Sequence, residues 1–249
     1  MMPGAATRLL LGPQRPEINL GVAVEMANLQ PGPIALISAG WQEAENDIDH
    51  VSEAVGRPLE CLSLYHRTDE VLAASDGLAE DYRERQDRLM ELQRLYRLRL
   101  RPLARAARQM FGVDGDADLL AAEQRHAVSQ LRALDRHHLH RTESIHREFD
   151  ERHNTSTTAL LREHSEQIRE ILHRCSGGII TGGNVAVLLN RMRMFGVQRM
   201  LGETPVIAWS AGAMALAERV VLFHDRLPQG RRDAEMLGAG LDMVQGYVI

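Results

Sequence analysis

Residues 205–220, PVIAWSAGAMALAERV, place an apolar, β-branched run directly before Ser210, and small residues and an Ala-rich stretch follow it. This pattern predicts a buried strand that turns sharply into a helix, with a hydroxyl group at the turn. A turn of this kind can hold a nucleophile when its neighbours are small. Ala211 and Gly212 are small, although Trp209 is not. The pattern also allows a second interpretation, in which Ser210 simply caps the helix that follows.

The sequence on both sides of a charged middle region alternates between short apolar runs and helical periodicity. Before that region the order is β-α-β-α-β, with predicted strands at 8–12, 33–40 and 59–66 and predicted helices at 19–29 and 46–56. After it, 175–184 holds a predicted strand and a glycine turn, 185–196 is a predicted helix, 205–214 reads as strand, turn and helix, and 219–225 and 245–249 are further predicted strands. We therefore expect an α/β protein, a three-layer α/β/α sandwich whose mostly parallel sheet is assembled from both sides of the middle region.

The middle region, residues 76–174, has dense charge, few glycines and no strand pattern. Apolar residues recur there at helical spacing, separated by a turn at 112–118, and HNTSTT (153–158) is the weakest helical point. The recurring positions are Leu89, Leu92, Tyr96, Leu100, Leu103 and Met110, then Leu131, Leu134, His138, Ile145 and Phe149. We predict a long, coiled-coil-like helical hairpin at 76–174, inserted into an α/β domain formed by 1–75 and 175–249.

Composition argues against several classes of protein. The net charge of −5 carries no overall signal for nucleic-acid binding, and no apolar run approaches the ~20 residues of a membrane span. The two cysteines form no disulfide framework and no secretory signal is evident, so we expect a cytoplasmic protein. Eight of the 11 histidines lie between 126 and 173, without the ligand spacing of a metal site. We interpret them as a solvated helix face, and we expect neither a metal nor a cofactor.

A second glycine-rich stretch, GGIITGGN (177–184), also bears on the chemistry. A strand that ends in Gly182-Gly183 can bring bare backbone N–H groups against a substrate and so supply a donor for an oxyanion. The stretch is neither a Walker loop nor a G-x-G-x-x-G motif. The alternative is an ordinary turn between a strand and a helix.

Together, GGIITGGNVAVLLNRM (177–192) and PVIAWSAGAM (205–214) resemble the dipeptidase E and cyanophycinase family of serine peptidases, within the class I glutamine amidotransferase-like fold. The resemblance is specific over 175–249, general over 8–75, and does not extend to 76–174. Glutaminase members of that fold carry Cys at the nucleophile position, so a serine there disfavours glutamine hydrolysis. Cys175 lies outside the turn and is interpreted as a core thiol.

The resemblance implies a role for each matching residue. Ser210 would attack the carbonyl carbon, the backbone N–H groups around Gly182-Gly183 and at Ala211 would hold the oxyanion, and Asn184 would contact the substrate. Asp225 falls where the family places the acidic member of its triad.

The histidine that would act as the base is the point of departure from the family. Its position would fall in a Pro-His stretch after MVQGYVI, and the sequence ends at Ile249. His224 is a candidate substitute, although its neighbour Asp225 should point to the opposite face of the strand. His66, at the end of the third predicted strand, is the other candidate.

Two hypotheses for function follow. The first is a serine peptidase-like hydrolase of peptide or amide bonds, with activity impaired by the absent histidine. The second is a catalytically silent amidotransferase-like scaffold, whose helical insertion binds a protein partner or a second copy of the chain. A histidine within reach of Ser210 is required by the first hypothesis and not by the second.

Overall fold

The computed structural model describes residues 7–14, 18–153, 159–223 and 234–249. In chain order the helices and strands are β1 (Arg8–Leu11), α1 (Leu20–Met26), β2 (Ile34–Ile37), a 3₁₀ helix (Ala39–Ala44), α2 (Asp49–Val55), β3 (Leu59–Cys61), α3 (Leu64–Ala73), α4 (Asp76–Phe111), α5 (Ala117–Arg152), α6 (Ala159–Arg174), β4 (Gly178–Ile180), α7 (Val185–Met194), α8 (Val197–Leu201), β5 (Val206–Trp209), α9 (Ala211–Leu216), β6 (Arg219–Leu222) and β7 (Glu235–Ala239). Among the helices in these ranges, none combines the length and the apolar character needed to cross a membrane.

The chain divides into two compact units. The first, which we call the sheet unit, comprises the described residues within 1–79, 155–219 and 240–249. The second, the helix unit, comprises those within 80–154 and 220–239. This division differs from the expected insertion at 76–174, because α6 belongs to the sheet unit. There it packs against α3 and α8, and its Ile168 is fully buried.

The sheet unit is built on a five-stranded sheet in the order β1-β5-β4-β2-β3, and all its pairings are parallel. Strands β4 and β5, which follow the long helices in sequence, lie between β1 and β2. The α/β class and the assembly of the sheet from both sides of the middle region are therefore confirmed. Apolar side chains meet in register across the sheet, as in the row Leu9, Ile207, Ile179 and Leu36.

Helices cover both faces of this sheet. On one face, α1 and α2 contribute Leu20, Val24 and Val51 to a core cluster that includes Ile179 and Ile207. Successive residues of a strand face opposite sides of the sheet. Gly178, next to Ile179 in β4, therefore faces away from that cluster. A Cβ atom placed on Gly178 would lie 3.3 Å from the Leu201 Cδ2 atom of α8, which shows that α8 packs closely on the opposite face.

The helix unit contains the two longest helices, α4 and α5, each of 36 residues. Tyr96 and Leu100 of α4 and Leu134 of α5 form its core cluster, with Leu103 and Leu131 packed against it. These five residues belong to the apolar seam that the periodicity predicts. Met236 of β7 completes the cluster, and the pairing of β6 with β7 was not anticipated from the sequence.

One predicted strand is shorter than expected, and another is not formed. The third was expected to span 59–66, but β3 ends at Cys61 and α3 begins at Leu64. The start of α3 depends on a residue distant in sequence, because the buried Glu45 carboxylate accepts hydrogen bonds from the Tyr65 and His66 backbone N–H groups (2.8 and 3.2 Å). Burial raises the pKa of the Glu45 carboxyl, and these N–H donors act against that shift.

The last predicted strand, 245–249, is also absent from the structure. This segment is mostly exposed, and the residue before it, Val244, forms an isolated bridge with Ala217. The apolar residues Tyr247, Val248 and Ile249 do not form a strand here because no strand among the described residues pairs with them. The HNTSTT stretch lies largely outside the described residues, with α5 ending at Arg152 and α6 beginning at Ala159.

Candidate active site

Ser210 occupies the turn from β5 into α9 in a conformation rare for a residue with a side chain, with φ 50° and ψ −120°. Left-handed backbone of this kind costs of the order of 1–3 kcal/mol and is found where surrounding packing enforces it. The residue stands at the N-cap position of α9, yet its side chain makes no capping hydrogen bond. The interpretation of Ser210 as a simple helix cap is therefore wrong.

Glycine at 212 allows the tight packing beneath this turn. A Cβ atom at that position would lie 2.5 Å from the Ile180 carbonyl oxygen and 2.6 Å from the Thr181 carbonyl oxygen. Both contacts are far below van der Waals distance and involve backbone that cannot move aside easily. The first turn of α9 therefore presses directly on the end of β4, and this contact positions Ser210.

The structure places Gly182 and Gly183 beside Ser210. A Cβ atom on Gly182 would lie 3.3 Å from the Ser210 Cβ atom. Gly183 has a φ of +112°, and a Cβ atom there would lie 2.3 Å from the Gly40 carbonyl oxygen. The two small-residue turns that the sequence suggests are thus brought together at one point, and backbone reaches Ser210 with no side chain between them.

Two backbone N–H groups belong to the turns that meet at Ser210. Within the described residues, the N–H groups of Gly183 and Ala211 meet no protein acceptor. The N–H of Ala211 belongs to the first turn of α9, where backbone donors have no partner inside the helix. These groups are available to a ligand oxygen, which is the requirement for an oxyanion site.

Asn184, which the family resemblance assigns to substrate contact, has a structural role in this turn. Its side-chain Oδ1 atom accepts hydrogen bonds from the Ala186 and Val187 N–H groups at 3.1 and 3.2 Å, so the side chain is the N-cap of α7. Its own N–H donates to the Gly40 carbonyl oxygen at 2.8 Å. In this structure Asn184 holds the Gly182-Gly183 turn in place between β4 and α7.

Ser210 opens into a cleft of about 1230 Å³ within the sheet unit, here called the Ser210 cleft. Its lining follows the carboxyl ends of β1, β2, β4 and β5, the edge at which open parallel sheets bind their ligands. The lining residues are Pro13, Gln14, Ile18, Leu20, Trp41, Ala44, Asp47, His50, Val51, Gly182, Gly183, Trp209 and Ser210.

Of the two histidines expected to activate Ser210, only His66 lies within the described residues. Among the residues that the structure describes, no side chain forms a hydrogen bond with the Ser210 hydroxyl. His224 and Asp225 lie outside the described residues. His66 is in α3, where its ring packs edge-on against Tyr65, and it does not line the Ser210 cleft.

One histidine in the cleft was missed by the sequence analysis. His50, in the first turn of α2, lines the same cleft as Ser210 and is exposed. Its ring lies 5.3 Å from the Trp41 ring between centroids, and Trp41 lies 6.4 Å from Trp209. Its position on a predicted helix that follows the second strand could have identified His50 as a candidate. The 3₁₀ helix between that strand and α2 was not predicted.

The two cysteines lie outside the turn that holds Ser210. Partial burial raises the pKa of the Cys175 thiol to about 11, so the thiol stays protonated near neutral pH and is a weak nucleophile. The Cys61 Sγ atom lies 3.4 Å from the Ser38 hydroxyl oxygen, next to the buried Glu45. Neither thiol lines the Ser210 cleft.

The histidine-rich helix α5 is only in part the solvated face that its sequence suggests. His137 and His140 are exposed, but His138 is 2% exposed and stacks on Tyr96 with ring centroids 4.3 Å apart. The correction follows from packing, because His138 occupies a core position of the predicted seam. In the described ranges, no group of three or more His, Cys, Asp or Glu side chains is arranged to hold a metal ion.

The site therefore combines a strained serine, the Gly183 backbone and an aromatic wall in one cleft at the carboxyl edge of a parallel sheet, and the Ala211 N–H follows the serine directly in the chain. These features come from the geometry of this chain alone. No protein-family model matches the chain, and no curated protein sequence matches it significantly.

Proposed function

We propose that this protein is a serine-type hydrolase of peptide or amide bonds, with a class I glutamine amidotransferase-like fold. The observation that carries the proposal is the conformation of Ser210, held at φ 50° and ψ −120° with no capping hydrogen bond. A nucleophile on a sharp strand-to-helix turn has this geometry. The all-parallel sheet with helices on both faces supports the choice of fold.

The first chemical step is attack of the Ser210 hydroxyl oxygen on the carbonyl carbon of the substrate. The hydroxyl proton passes to a base, and the carbonyl oxygen takes the negative charge of the tetrahedral intermediate. The N–H groups of Gly183 and Ala211 donate hydrogen bonds to that oxygen. Backbone donors already in place need no rearrangement as the charge develops, so they lower the barrier.

Collapse of the intermediate breaks the C–N bond and leaves an acyl group on the Ser210 oxygen. The departing amine takes the proton that the base had accepted. A water molecule then attacks the acyl carbon, its proton goes to the same base, and release of the acid regenerates the hydroxyl group. The base must therefore reach both the hydroxyl and the leaving nitrogen.

Two histidines are the candidates for this base. His50 lines the Ser210 cleft, and as the base it would have to reach the Ser210 hydroxyl in the substrate complex. His224, with Asp225 as its possible partner, is the candidate that the family resemblance favours. Catalytic hydrogen bonds often form only in the substrate complex, so the labelling rates of the histidine variants distinguish the two candidates.

Labelling with a fluorophosphonate probe tests the proposal, since the probe reacts with activated serines. We expect covalent labelling of the protein at Ser210, identified by peptide mass spectrometry, and its loss in Ser210→Ala. Ser129→Ala, which removes an exposed hydroxyl from α5, is the matched control and should label normally. Failure of the wild-type protein to label would contradict the hydrolase and favour the silent scaffold.

The same assay identifies the base. Removing a general base should slow labelling by about 100-fold or more. We compare His50→Ala, His224→Ala and His66→Ala, and expect one of the first two to show that loss. Equal labelling rates in all three variants would exclude each of these histidines as the base.

A further inference from the structure

Both tryptophans of this 249-residue chain, Trp41 and Trp209, line the Ser210 cleft. Their ring centroids are 6.4 Å apart with an interplanar angle of 54°, so together they form a folded aromatic wall. Trp209 directly precedes Ser210, which places this wall next to the proposed nucleophile. An aromatic pair at this point is a feature that the hydrolysis chemistry itself does not require.

Trp41 is held in the wall by backbone packing. A Cβ atom on Gly40 would lie 2.7 Å from the Gly182 carbonyl oxygen, and one on Gly183 would lie 3.0 Å from the Trp41 Cδ1 atom. The Trp41 N–H also donates to the Ser38 carbonyl oxygen at 2.8 Å. The 3₁₀ helix is therefore pressed onto the glycine turn, and the position of Trp41 relative to Ser210 is set by backbone contacts.

The remainder of the described lining extends this apolar surface. Ile18 is 47% exposed although it is a large apolar side chain, and Leu20 and Val51 lie behind it in the core of the unit. The acidic side chain in the lining is Asp47, which is exposed at the cleft. A ligand that covers this apolar surface gains free energy from burying it. A ligand carboxylate in the cleft is repelled by the Asp47 carboxylate.

We propose, on the basis of the hydrolase function above, that the Ser210 cleft selects substrates with a bulky apolar side chain, preferably aromatic, next to the scissile bond. The side chain packs against Trp41 and Ile18 while the carbonyl group lies at the Gly183 and Ala211 donors. Aromatic rings pack favourably on tryptophan beyond their buried area. An acidic side chain in the same place loses this packing and meets the Asp47 carboxylate.

Tryptophan fluorescence provides a direct binding assay, because the whole of this signal comes from the cleft. The assay uses the full-length Ser210→Ala variant, which binds without turning over, titrated with three amides: N-acetyl-phenylalanine amide, N-acetyl-alanine amide and N-acetyl-aspartic acid amide. We expect the phenylalanine amide to bind about tenfold more tightly than the alanine amide, and the aspartic acid amide to bind most weakly.

Substitution of the wall should remove this preference. In Trp41→Ala, with Trp209 as the remaining reporter, the phenylalanine and alanine amides should bind within about twofold of each other. Trp41→Phe keeps an aromatic ring and should retain the preference, which also covers the case in which Trp41→Ala does not fold. Phe111→Ala removes an exposed aromatic side chain of α4 and is the control.

The outcomes separate this inference from the proposed function. Fluorophosphonate labelling of Ser210 combined with equal affinities for the three amides would overturn the substrate class and leave the hydrolase intact. A preference for the phenylalanine amide without labelling would support an apolar binding cleft and overturn the hydrolase. Tighter binding of the aspartic acid amide would contradict the inference directly.

Discussion

At the scale of single residues, the site depends on places where a side chain cannot fit. Ser210 keeps its strained backbone because Gly212, two residues later, lets α9 rest against the Ile180 and Thr181 carbonyl groups. Gly40 and Gly183 play the same role on the other wall of the cleft. The serine is reactive in our proposal because these backbone contacts, rather than its own sequence neighbours alone, hold it in the turn.

We predict that Gly212→Ala lowers the free energy of unfolding by about 2 kcal/mol or more, because the new Cβ atom would lie 2.5 Å from a backbone oxygen. Gly77→Ala is the matched control, since a Cβ atom there meets nothing within 4 Å and the residue lies in the first turn of α4. That change should be neutral or stabilise by up to about 1 kcal/mol. Urea unfolding measures both, and similar values for the two variants would show that the packing beneath Ser210 is loose.

At the scale of secondary-structure elements, the helix unit joins α4, α5 and β7 around a buried polar group. His138 of α5 stacks on Tyr96 of α4, whose hydroxyl donates to the Asp135 carboxylate at 2.8 Å and accepts from the Met236 N–H at 3.2 Å. The groups around this ring are Asp135 and His137 on α5, Tyr96 on α4, and Glu235 on β7, which is ion-paired with Arg97. Burial lowers the pKa of His138, against the opposing effects of the Leu237 backbone and Asp135.

This shift predicts a loss of stability in mild acid. The pKa of His138 is lower in the folded than in the unfolded chain, so below about pH 6.5 the unfolded chain binds a proton that the folded chain does not. The contribution to stability is therefore fully present above about pH 6.5 and is lost as the pH falls through the lowered value.

We expect His138→Phe, which keeps a ring against Tyr96, to reduce the fall in the free energy of unfolding between pH 7 and pH 5. His140→Phe, at an exposed position of the same helix, is the control and should keep the wild-type slope. The measurement is urea unfolding at a series of pH values. An unchanged slope in His138→Phe would show that this buried ring does not titrate differently on folding.

At the scale of the whole molecule, the boundary between the units is set by which side chains are buried together. It does not coincide with the change in charge density along the sequence. Helix α6 looks like part of the charged middle region, yet Ile168 and Leu172 are buried in the sheet unit. The chain also returns to the sheet unit at Gly240, whose N–H donates to the Glu218 carbonyl oxygen at 2.9 Å. Residues 218 and 240 are therefore adjacent, and the segment between them can be replaced by a short turn.

We predict that the sheet unit folds alone when 80–154 is replaced by a Gly-Ser linker and 220–239 by a Gly-Ser turn. Deletion of 76–174 is the comparison, because it also removes α6 and exposes the apolar surface that Ile168 and Leu172 cover. The first variant should melt cooperatively, and the second should lose cooperativity or aggregate, as judged by circular dichroism and calorimetry. Cooperative melting of the second variant alone would contradict the assignment of α6 to the sheet unit.

Most strands and helices of the sheet unit could be predicted from local sequence patterns. The apolar runs at β1, β2, β4 and β5, and the helical periodicity between them, depend on neighbouring residues, and their strands and helices appear where expected. The strand predicted at 59–66 was cut short because Glu45, about twenty residues away, supports the start of α3. Residues 245–249 pair with no strand in the described part of the chain, and β7 packs against α5.

The sequence by itself determined the local parts of the site: the strand-to-helix turn at Ser210 and the bare glycine turn at Gly182 and Gly183. Both turns can be recognised from consecutive small residues, because a tight turn limits the side chains it can hold. Only the tertiary structure decided that Trp41 and His50 enter the Ser210 cleft and that Asn184 caps α7. Their positions result from the register of parallel strands and from backbone contacts between distant segments, which no local pattern encodes.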